Sequence, residues 1–249
     1  MRTPIAILKL CVFVIWCAIC VPCQLILLIF HQGKHAYTIP RIWHNGVCKI
    51  FSLTVTYTGT ITPNQPTLFV SNHISWLDIP VIGSVLHASF VAKREVESWP
   101  LFGFLSKLQQ TAFIDRSRHA ALREKNSLKK QLETGKSLIL FPEGTSSDGT
   151  SILPFKSSLF EIAQTDSDFT IQPFCLKIHS LNQSTTPMNN DLYAWYGDMD
   201  LAPHLWTFAK AKGAEIHLTF LPPIKPKDYR DRKALSGYLH QSISQTFDA

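Results

Sequence analysis

The sequence predicts an α/β domain that follows an apolar N-terminal helical segment. Two observations lead to this fold class. Short apolar runs typical of buried strands alternate with helical patterns from about residue 67 to the C-terminus. Residues 10–30 are almost wholly apolar, and charged residues make up only 17% of the 249-residue chain, against about 25% in ordinary soluble proteins. We therefore expect residues 1–57 to form a membrane anchor with an interfacial helical segment, and residues 58–249 to form one folded domain.

The N-terminal segment is expected to be retained as an anchor. A helix over residues 10–30 rises about 31 Å, close to the ~30 Å thickness of the hydrocarbon layer of a bilayer. Arg2 and Lys9 also fit the basic start of a cleaved signal peptide, but no small-residue cleavage site follows the long apolar run. A transmembrane helix or a membrane-embedded hairpin is predicted, with a second, interfacial helix within residues 31–57.

Charge and cysteine usage narrow the choice of partners and compartment. The formal net charge of +6 suits an anionic membrane surface, and no nucleic-acid-binding motif accompanies it. Four of the six cysteines lie within the apolar segment, which does not resemble the framework of a disulfide-rich secreted protein. We expect reduced thiols and a domain that faces the cytoplasm.

The downstream pattern predicts the following order of elements. Strands are expected at residues 67–70, 89–92, 111–115, 137–141, 170–178 and 214–221. Helices are expected at residues 81–86, 101–105, 119–134, 157–164 and 232–247. Residues 179–212 are predicted to be a long loop, and their many aromatic side chains suggest that this loop covers a site or touches lipid.

A histidine and an aspartate follow the first of these strands, in the stretch from Ser71 to Pro80. His73 and Asp78 are five residues apart, so their side chains can meet only if the chain turns between them. A turn with Ser75 or Asn72 as a helix cap would bring them together. A carboxylate that holds a histidine fixes its tautomer, as a general base requires. A purely structural hydrogen bond is the alternative interpretation of this pair.

A second motif, Phe-Pro-Glu-Gly-Thr at residues 141–145, also follows a predicted strand. Together the two motifs resemble those of the glycerolipid acyltransferase family, whose first motif is Asn-His, four residues, Asp. The resemblance covers residues 67–178. It implies a glycerolipid acyltransferase-like αβ domain with a membrane-associated helical segment before it. It also implies direct attack of a lysolipid hydroxyl on an acyl thioester, with His73 as the base and Asp78 orienting it.

The resemblance also implies the substrate-binding residues. Thr111 to Arg116 resembles the family's second motif, whose arginine contacts the acceptor phosphate, so Arg116 takes that role. Glu143, Gly144 and Thr145 carry over from the third motif as acceptor-binding and backbone-donor positions. Lys93 and Lys156 match further positions of the family pattern near the anionic end of the site. One departure stands out, because Ser146 occupies the position at which the family has a second arginine.

Several functions remain open at this stage. The expected reaction moves an acyl chain from acyl-CoA or acyl carrier protein to 1-acylglycerol-3-phosphate, with no cofactor and no metal. The missing arginine leaves a phosphate-free acceptor, lyso-ornithine lipid, as an alternative. A lipid hydrolase using the same histidine and aspartate is an alternative of another class. The expected location is the inner membrane, with the catalytic domain, residues 58–249, on the cytoplasmic side.

Overall fold

In the computed structural model, which describes residues 2–63, 65–115, 121–164, 169–182 and 190–249, helices cover both faces of one sheet. The helices are α1 (Thr3–Phe30), α2 (Thr38–Ile50), α3 (Asp78–Val85), α4 (Phe102–Leu108), α5 (Ala121–Glu133), α6 (Leu201–Ala209) and α7 (Arg232–Asp248). The strands are β1 (Leu53–Thr58), β2 (Thr67–Val70), β3 (Ser89–Lys93), β4 (Ala112–Ile114), β5 (Leu138–Leu140), β6 (Thr170–Leu181) and β7 (Ala214–Phe220).

The seven strands form one mixed sheet in the order β1-β7-β6-β2-β5-β3-β4. All neighbouring pairs are parallel except β6 and β7, which are antiparallel. Helices on both faces leave the central strands buried, as parallel strands require. The predicted α/β class is therefore confirmed.

Alternation along the strands sends side chains into two cores. In β2, Phe69 packs into the core beneath α1, α2, α3 and α6. Its neighbours Leu68 and Val70 point to the opposite core, beneath α5 and α7. This three-layer arrangement follows from the period of two along a strand.

Helix α1 is longer than predicted and begins at Thr3, with Pro22 inside it. Its length and apolar composition are sufficient to cross a membrane. One line of side chains packs against the domain, at Ala6, Phe13, Cys20 and Gln24, and large apolar side chains elsewhere on the helix are exposed. Burial of a single stripe is what a helix lying partly in lipid would show.

Two predicted features were wrong. Residues 53–57, expected within an interfacial helical segment, belong to the edge strand β1, which pairs with β7. Residues 179–212 are not one long loop, because they begin with the end of β6 and contain α6. The division at residue 57 stays a prediction, although β1 already belongs to the sheet of the domain.

Helix α2 packs closely against α3 through Gly83. A Cβ atom on Gly83 would lie 2.3 Å from Cδ2 of His44, and His44 is buried. Gly83→Ala should therefore lower the free energy of unfolding by about 1–3 kcal/mol, as overpacking does. Chemical unfolding in detergent followed by circular dichroism measures this change.

The matched control is Gly237→Ala on α7, where a Cβ atom would meet nothing within 4 Å. Alanine has the higher helix propensity, so this variant should gain about 0.5–1 kcal/mol. Equal effects of the two substitutions would contradict the close packing of α2 on α3.

Candidate active site

The two sequence motifs meet because they follow neighbouring parallel strands. Strand β2 pairs with β5 in parallel, with Val70 opposite Leu140. The backbone N–H of Ser71 extends this ladder by donating to the carbonyl of Leu140 (3.2 Å). Residues that follow the two strands therefore leave the sheet at the same edge. In open α/β sheets this edge, at the carboxyl ends of the strands, is where ligands bind.

His73 and Asp78 are in contact at this edge. Nδ1 of His73 lies 2.8 Å from Oδ2 of Asp78. The same Oδ2 accepts the backbone N–H groups of Ile74 (2.7 Å) and Ser75 (3.0 Å). The aspartate is buried, whereas 18% of the histidine side chain is exposed. A carboxylate at Nδ1 favours the tautomer with the proton on that atom, so Nε2 is left with a lone pair for a substrate proton.

The second oxygen of Asp78 is held by a residue that sequence reasoning missed. The hydroxyl of Tyr193 donates to Oδ1 of Asp78 (2.9 Å), and Tyr193 is fully buried. Burial, followed by the nearby Asp78 charge, raises the pKa of Tyr193 well above its usual value, so it remains a donor. The density of aromatic residues in 179–212 was the only sequence signal for this contact.

The imidazole of His73 is also stacked on an aromatic ring. The ring of Phe141 lies 4.1 Å from it, centroid to centroid, at an interplanar angle of 11°. Phe141 itself stacks near Phe90 of β3. The histidine therefore has one face against the second motif and one nitrogen on Asp78, which limits its rotation.

Glu143 lies beneath the histidine backbone and is 2% exposed. Its Oε1 accepts the backbone N–H of His73 (2.7 Å), and its Oε2 accepts the N–H of Leu153 (2.8 Å). Burial raises the pKa of Glu143 to about 7, although both backbone hydrogen bonds oppose this shift. The sequence predicted that this carboxyl binds the acceptor, but both of its oxygens already accept hydrogen bonds from the protein.

Other backbone contacts hold the turn between the motifs. The carbonyl of His73 accepts both the N–H (2.9 Å) and the hydroxyl (3.2 Å) of Ser147. The carbonyl of Ile74 accepts the N–H of Trp195 (3.0 Å). The histidine is thereby fixed by residues from three separate segments of the chain.

The predicted helix caps were wrong. Helix α3 begins at Asp78 without a side-chain cap. The amide of Asn72 instead bridges to β6, where its Nδ2 donates to the carbonyl of Leu176 (2.9 Å) and its Oδ1 accepts the Leu176 N–H (2.8 Å). Asn72 therefore ties the start of the turn to the neighbouring strand.

The remaining predicted residues are placed as follows. Lys93, Thr145 and Lys156 are exposed, and Lys93 ends β3, beside β5. Gly144 has a φ of +73°, and its N–H donates within the turn to the carbonyl of Phe141 (3.1 Å). That N–H therefore closes the turn, and the role of Gly144 as a backbone donor to the substrate stays a prediction. Arg116 lies outside the described residues.

Ser146, at the position of the family's second arginine, points into the protein. It is 8% exposed, and its hydroxyl donates to the carbonyl of Trp195. The side chain therefore links the turn to Trp195. Among the described residues, no cluster of three or more His, Cys, Asp or Glu side chains could hold a metal ion.

Comparison with known proteins agrees with this geometry. The sequence model of the family described as Acyltransferase matches residues 52–177. The chain is 32% identical over 215 residues to the lyso-ornithine lipid O-acyltransferase of Brucella abortus, which covers 82% of this chain and 80% of that protein. The chain belongs to the acyltransferase family. The resemblance seen in the sequence is confirmed.

Two further relatives extend the comparison of this acyltransferase. It is 30% identical over 188 residues to the 1-acyl-sn-glycerol-3-phosphate acyltransferase of Neisseria meningitidis, covering 74% of this chain and 71% of that protein. The crystal structure of the 1-acyl-sn-glycerophosphate acyltransferase PlsC from Thermotoga maritima superimposes with a TM-score of 0.72 at 20% identity. That match covers 100% of this chain and 97% of the other, and it confirms the fold.

The raised pKa of Glu143 predicts a pH-dependent stability of the acyltransferase. The folded protein takes up this proton at a higher pH than the unfolded chain, whose carboxyl has a pKa near 4.5. The contribution of Glu143 to the free energy of unfolding is therefore largest below pH 4.5, and it is lost as the pH rises to about 7. Between pH 5 and 7, wild type should lose stability more steeply with rising pH than Glu143→Gln, by urea unfolding.

Glu215→Gln removes the same charge at an exposed position on β7 and is the matched control. Parallel stability curves for wild type and Glu143→Gln would show that the buried carboxyl does not titrate in this range.

Proposed function

We propose that this acyltransferase moves a fatty acyl chain from a thioester to the free hydroxyl of a lysolipid, with His73 as the general base. The observation that supports this role is the contact between His73 and the buried Asp78 at the carboxyl edge of the sheet. The free Nε2 of an imidazole held in this way is suited to accept a hydroxyl proton.

The proposed reaction is a direct transfer. Nε2 of His73 removes the proton from the acceptor hydroxyl as the hydroxyl oxygen attacks the thioester carbonyl carbon. The resulting tetrahedral oxyanion collapses, the C–S bond breaks, and the departing thiolate takes the proton back from His73. The Asp78 carboxylate stabilises the imidazolium that exists between these two proton transfers. Acyl-CoA or acyl carrier protein is the proposed donor, as the family resemblance implies, and no cofactor takes part.

We propose lyso-ornithine lipid as the acceptor. The similarity to the Brucella abortus enzyme supports this choice, as does 34% identity over 215 residues to the lyso-ornithine lipid O-acyltransferase of Rhizobium meliloti. The buried Ser146, which bonds Trp195 instead of offering a cation, also fits a head group without a phosphomonoester. Lysophosphatidate is the second candidate, favoured by the similarity to the Neisseria enzyme.

The proposed location is the cytoplasmic face of the inner membrane, with α1 in the bilayer. The length and apolar composition of α1 support the membrane, and the net charge of +6 supports an anionic surface. Lys93 and Lys156 are proposed to lie near the anionic part of the substrate. Both are exposed; Lys93 ends β3 beside β5, and the backbone N–H of Lys156 donates to the carbonyl of Pro142 in the second motif. Arg116 keeps its proposed role at the acceptor through the family resemblance alone.

The base role predicts the effect of removing the imidazole. His73→Ala should lower the rate of acyl transfer by about 100- to 10,000-fold, the usual contribution of general-base catalysis. The rate is measured with radiolabelled acyl thioester and purified enzyme. His217→Ala, which removes a half-buried imidazole that bonds Thr56 and Thr58 between β7 and β1, is the control and should keep the wild-type rate.

A His73→Ala rate within about tenfold of wild type would refute the proposed base, since alanine offers no proton acceptor. Release of free fatty acid at the same rate with and without acceptor would instead identify the wild-type enzyme as a hydrolase.

The acceptor proposal predicts how Ser146→Arg changes selectivity. A guanidinium here would add a charged hydrogen bond to a phosphate, so the turnover of lysophosphatidate relative to lyso-ornithine lipid should rise about tenfold or more. Both acceptors are assayed in mixed micelles. Ser146→Gln is the control, because it also removes the serine hydroxyl that bonds Trp195 but adds no charge.

Wild-type enzyme should prefer lyso-ornithine lipid. Wild-type preference for lysophosphatidate, together with a lower relative rate on it in Ser146→Arg than in Ser146→Gln, would show that phosphate is already bound without this arginine.

A further inference from the structure

An exposed apolar patch lies beside the candidate site, and the mechanism does not use it. The patch consists of Trp99, Leu101 and Phe104, which are 38%, 52% and 47% exposed. They belong to the connection between the 3₁₀ turn Arg94–Ser98 and the start of α4. Large apolar side chains that are clustered in this way on a surface mark a site of contact with a protein or a membrane.

The backbone of the patch holds Leu101 outward in a conformation that non-glycine residues rarely adopt. Leu101 has φ 60° and ψ −57°, and the N–H of Phe102 donates to the carbonyl of Pro100 (2.6 Å). These features define a γ-turn with positive φ, which is rare and strained. Burial of Leu101 in an external apolar phase would offset this local cost.

The position of α4 beside α1 indicates that this apolar phase is a lipid bilayer. Nε2 of Gln24 on α1 donates to the carbonyl of Leu108 at the end of α4 (2.8 Å). The inner side of α4 and the residues Cys20 and Val21 of α1 line one shared apolar cavity. Helix α4 therefore packs against the C-terminal half of α1, the helix that is long and apolar enough to cross a membrane. The large apolar residues exposed on that half of α1 are Ile19, Leu25, Ile26, Ile29 and Phe30.

The charges around the patch suit anionic lipid head groups. Lys93, Arg94 and Lys107 surround it and are exposed. Two acidic residues, Glu95 and Glu97, lie among them, and the Oε atoms of Glu97 are 3.5 Å from Arg94 and 3.3 Å from Lys107. Three cations and two carboxylates leave this surface with a net charge of +1, which favours an anionic membrane. Tryptophan at its edge is typical of the membrane interface.

We propose that Trp99, Leu101 and Phe104 form a second membrane-inserting element that holds the active-site mouth against the lipid surface. This inference rests on the proposed function, because it requires α1 to lie in the bilayer. The patch also contacts the site, since the rings of Trp99 and Trp195 lie 6.2 Å apart, edge to face. The N–H of Trp195 in turn bonds Ile74, next to His73. A lysolipid could thus pass from the bilayer to the base beside an apolar surface.

Insertion is tested with the full-length chain in vesicles of phosphatidylcholine and phosphatidylglycerol whose acyl chains carry bromine at defined depths. The emission of Trp99 is obtained as the difference between wild type and Trp99→Phe. We expect this difference signal to be quenched, and more strongly by bromine near the head groups than by bromine near the chain ends. A Trp99 signal that no brominated lipid quenches would overturn the proposal.

Function is tested with Leu101→Asn combined with Phe104→Ser. Asparagine tolerates positive φ, so the fold should be kept. Activity on acceptor embedded in vesicles should fall about tenfold or more, whereas activity on acceptor dispersed in detergent should remain within about twofold of wild type. Tyr238→Ser removes an exposed aromatic side chain from α7 and should change neither activity.

The outcomes separate the inference from the proposed function. Wild type without acyl transfer in detergent would refute the function. Wild type that is active, with a double variant that behaves identically on vesicles, would refute the membrane patch alone. A double variant that loses activity only with acyl carrier protein and not with acyl-CoA, or that turns a dimer into a monomer, would assign the patch to a protein partner instead.

Discussion

The burial of the Asp78 carboxylate is the constraint on which the candidate site depends. A buried carboxylate must be matched by hydrogen-bond donors, because its desolvation would otherwise cost several kcal/mol. Four donors meet it, from the imidazole of His73, the N–H groups of Ile74 and Ser75, and the hydroxyl of Tyr193. Three of the four come from the turn that carries the base, so satisfying the aspartate also orients the histidine.

The sheet supplies the second support for the base. Because β2 and β5 are parallel neighbours, the Phe-Pro-Glu-Gly-Thr motif leaves the sheet beside the histidine. Phe141 then stacks on the imidazole, and Glu143 accepts the backbone N–H of His73. Two buried carboxyls thus hold the partly buried His73, Asp78 through the imidazole and Glu143 through the backbone N–H. Preorganisation of this kind lowers the reorganisation that a proton transfer would otherwise require.

Local patterns predicted the elements and residues that depend on short-range chemistry. The strand before His73, the turn to Asp78 and the basic helix α5 were all predicted from spacing and periodicity. Strand β1 and Tyr193 were not, since each acquires its role from a partner more than 100 residues away. The inward direction of Ser146 likewise depends on Trp195, a tertiary contact that no local rule describes.

The most direct test of the account is the tautomer of His73 in the folded enzyme. Nitrogen-15 NMR of histidine-labelled protein, with His73 assigned by its loss in His73→Ala, reports which ring nitrogen carries the proton. The account predicts a proton on Nδ1, bound to Asp78, and an unprotonated Nε2. It also predicts that Asp78→Asn changes the ratio of the Nδ1-protonated to the Nε2-protonated tautomer of His73. A neutral His73 with its proton on Nε2 in the wild-type enzyme would contradict the proposed base.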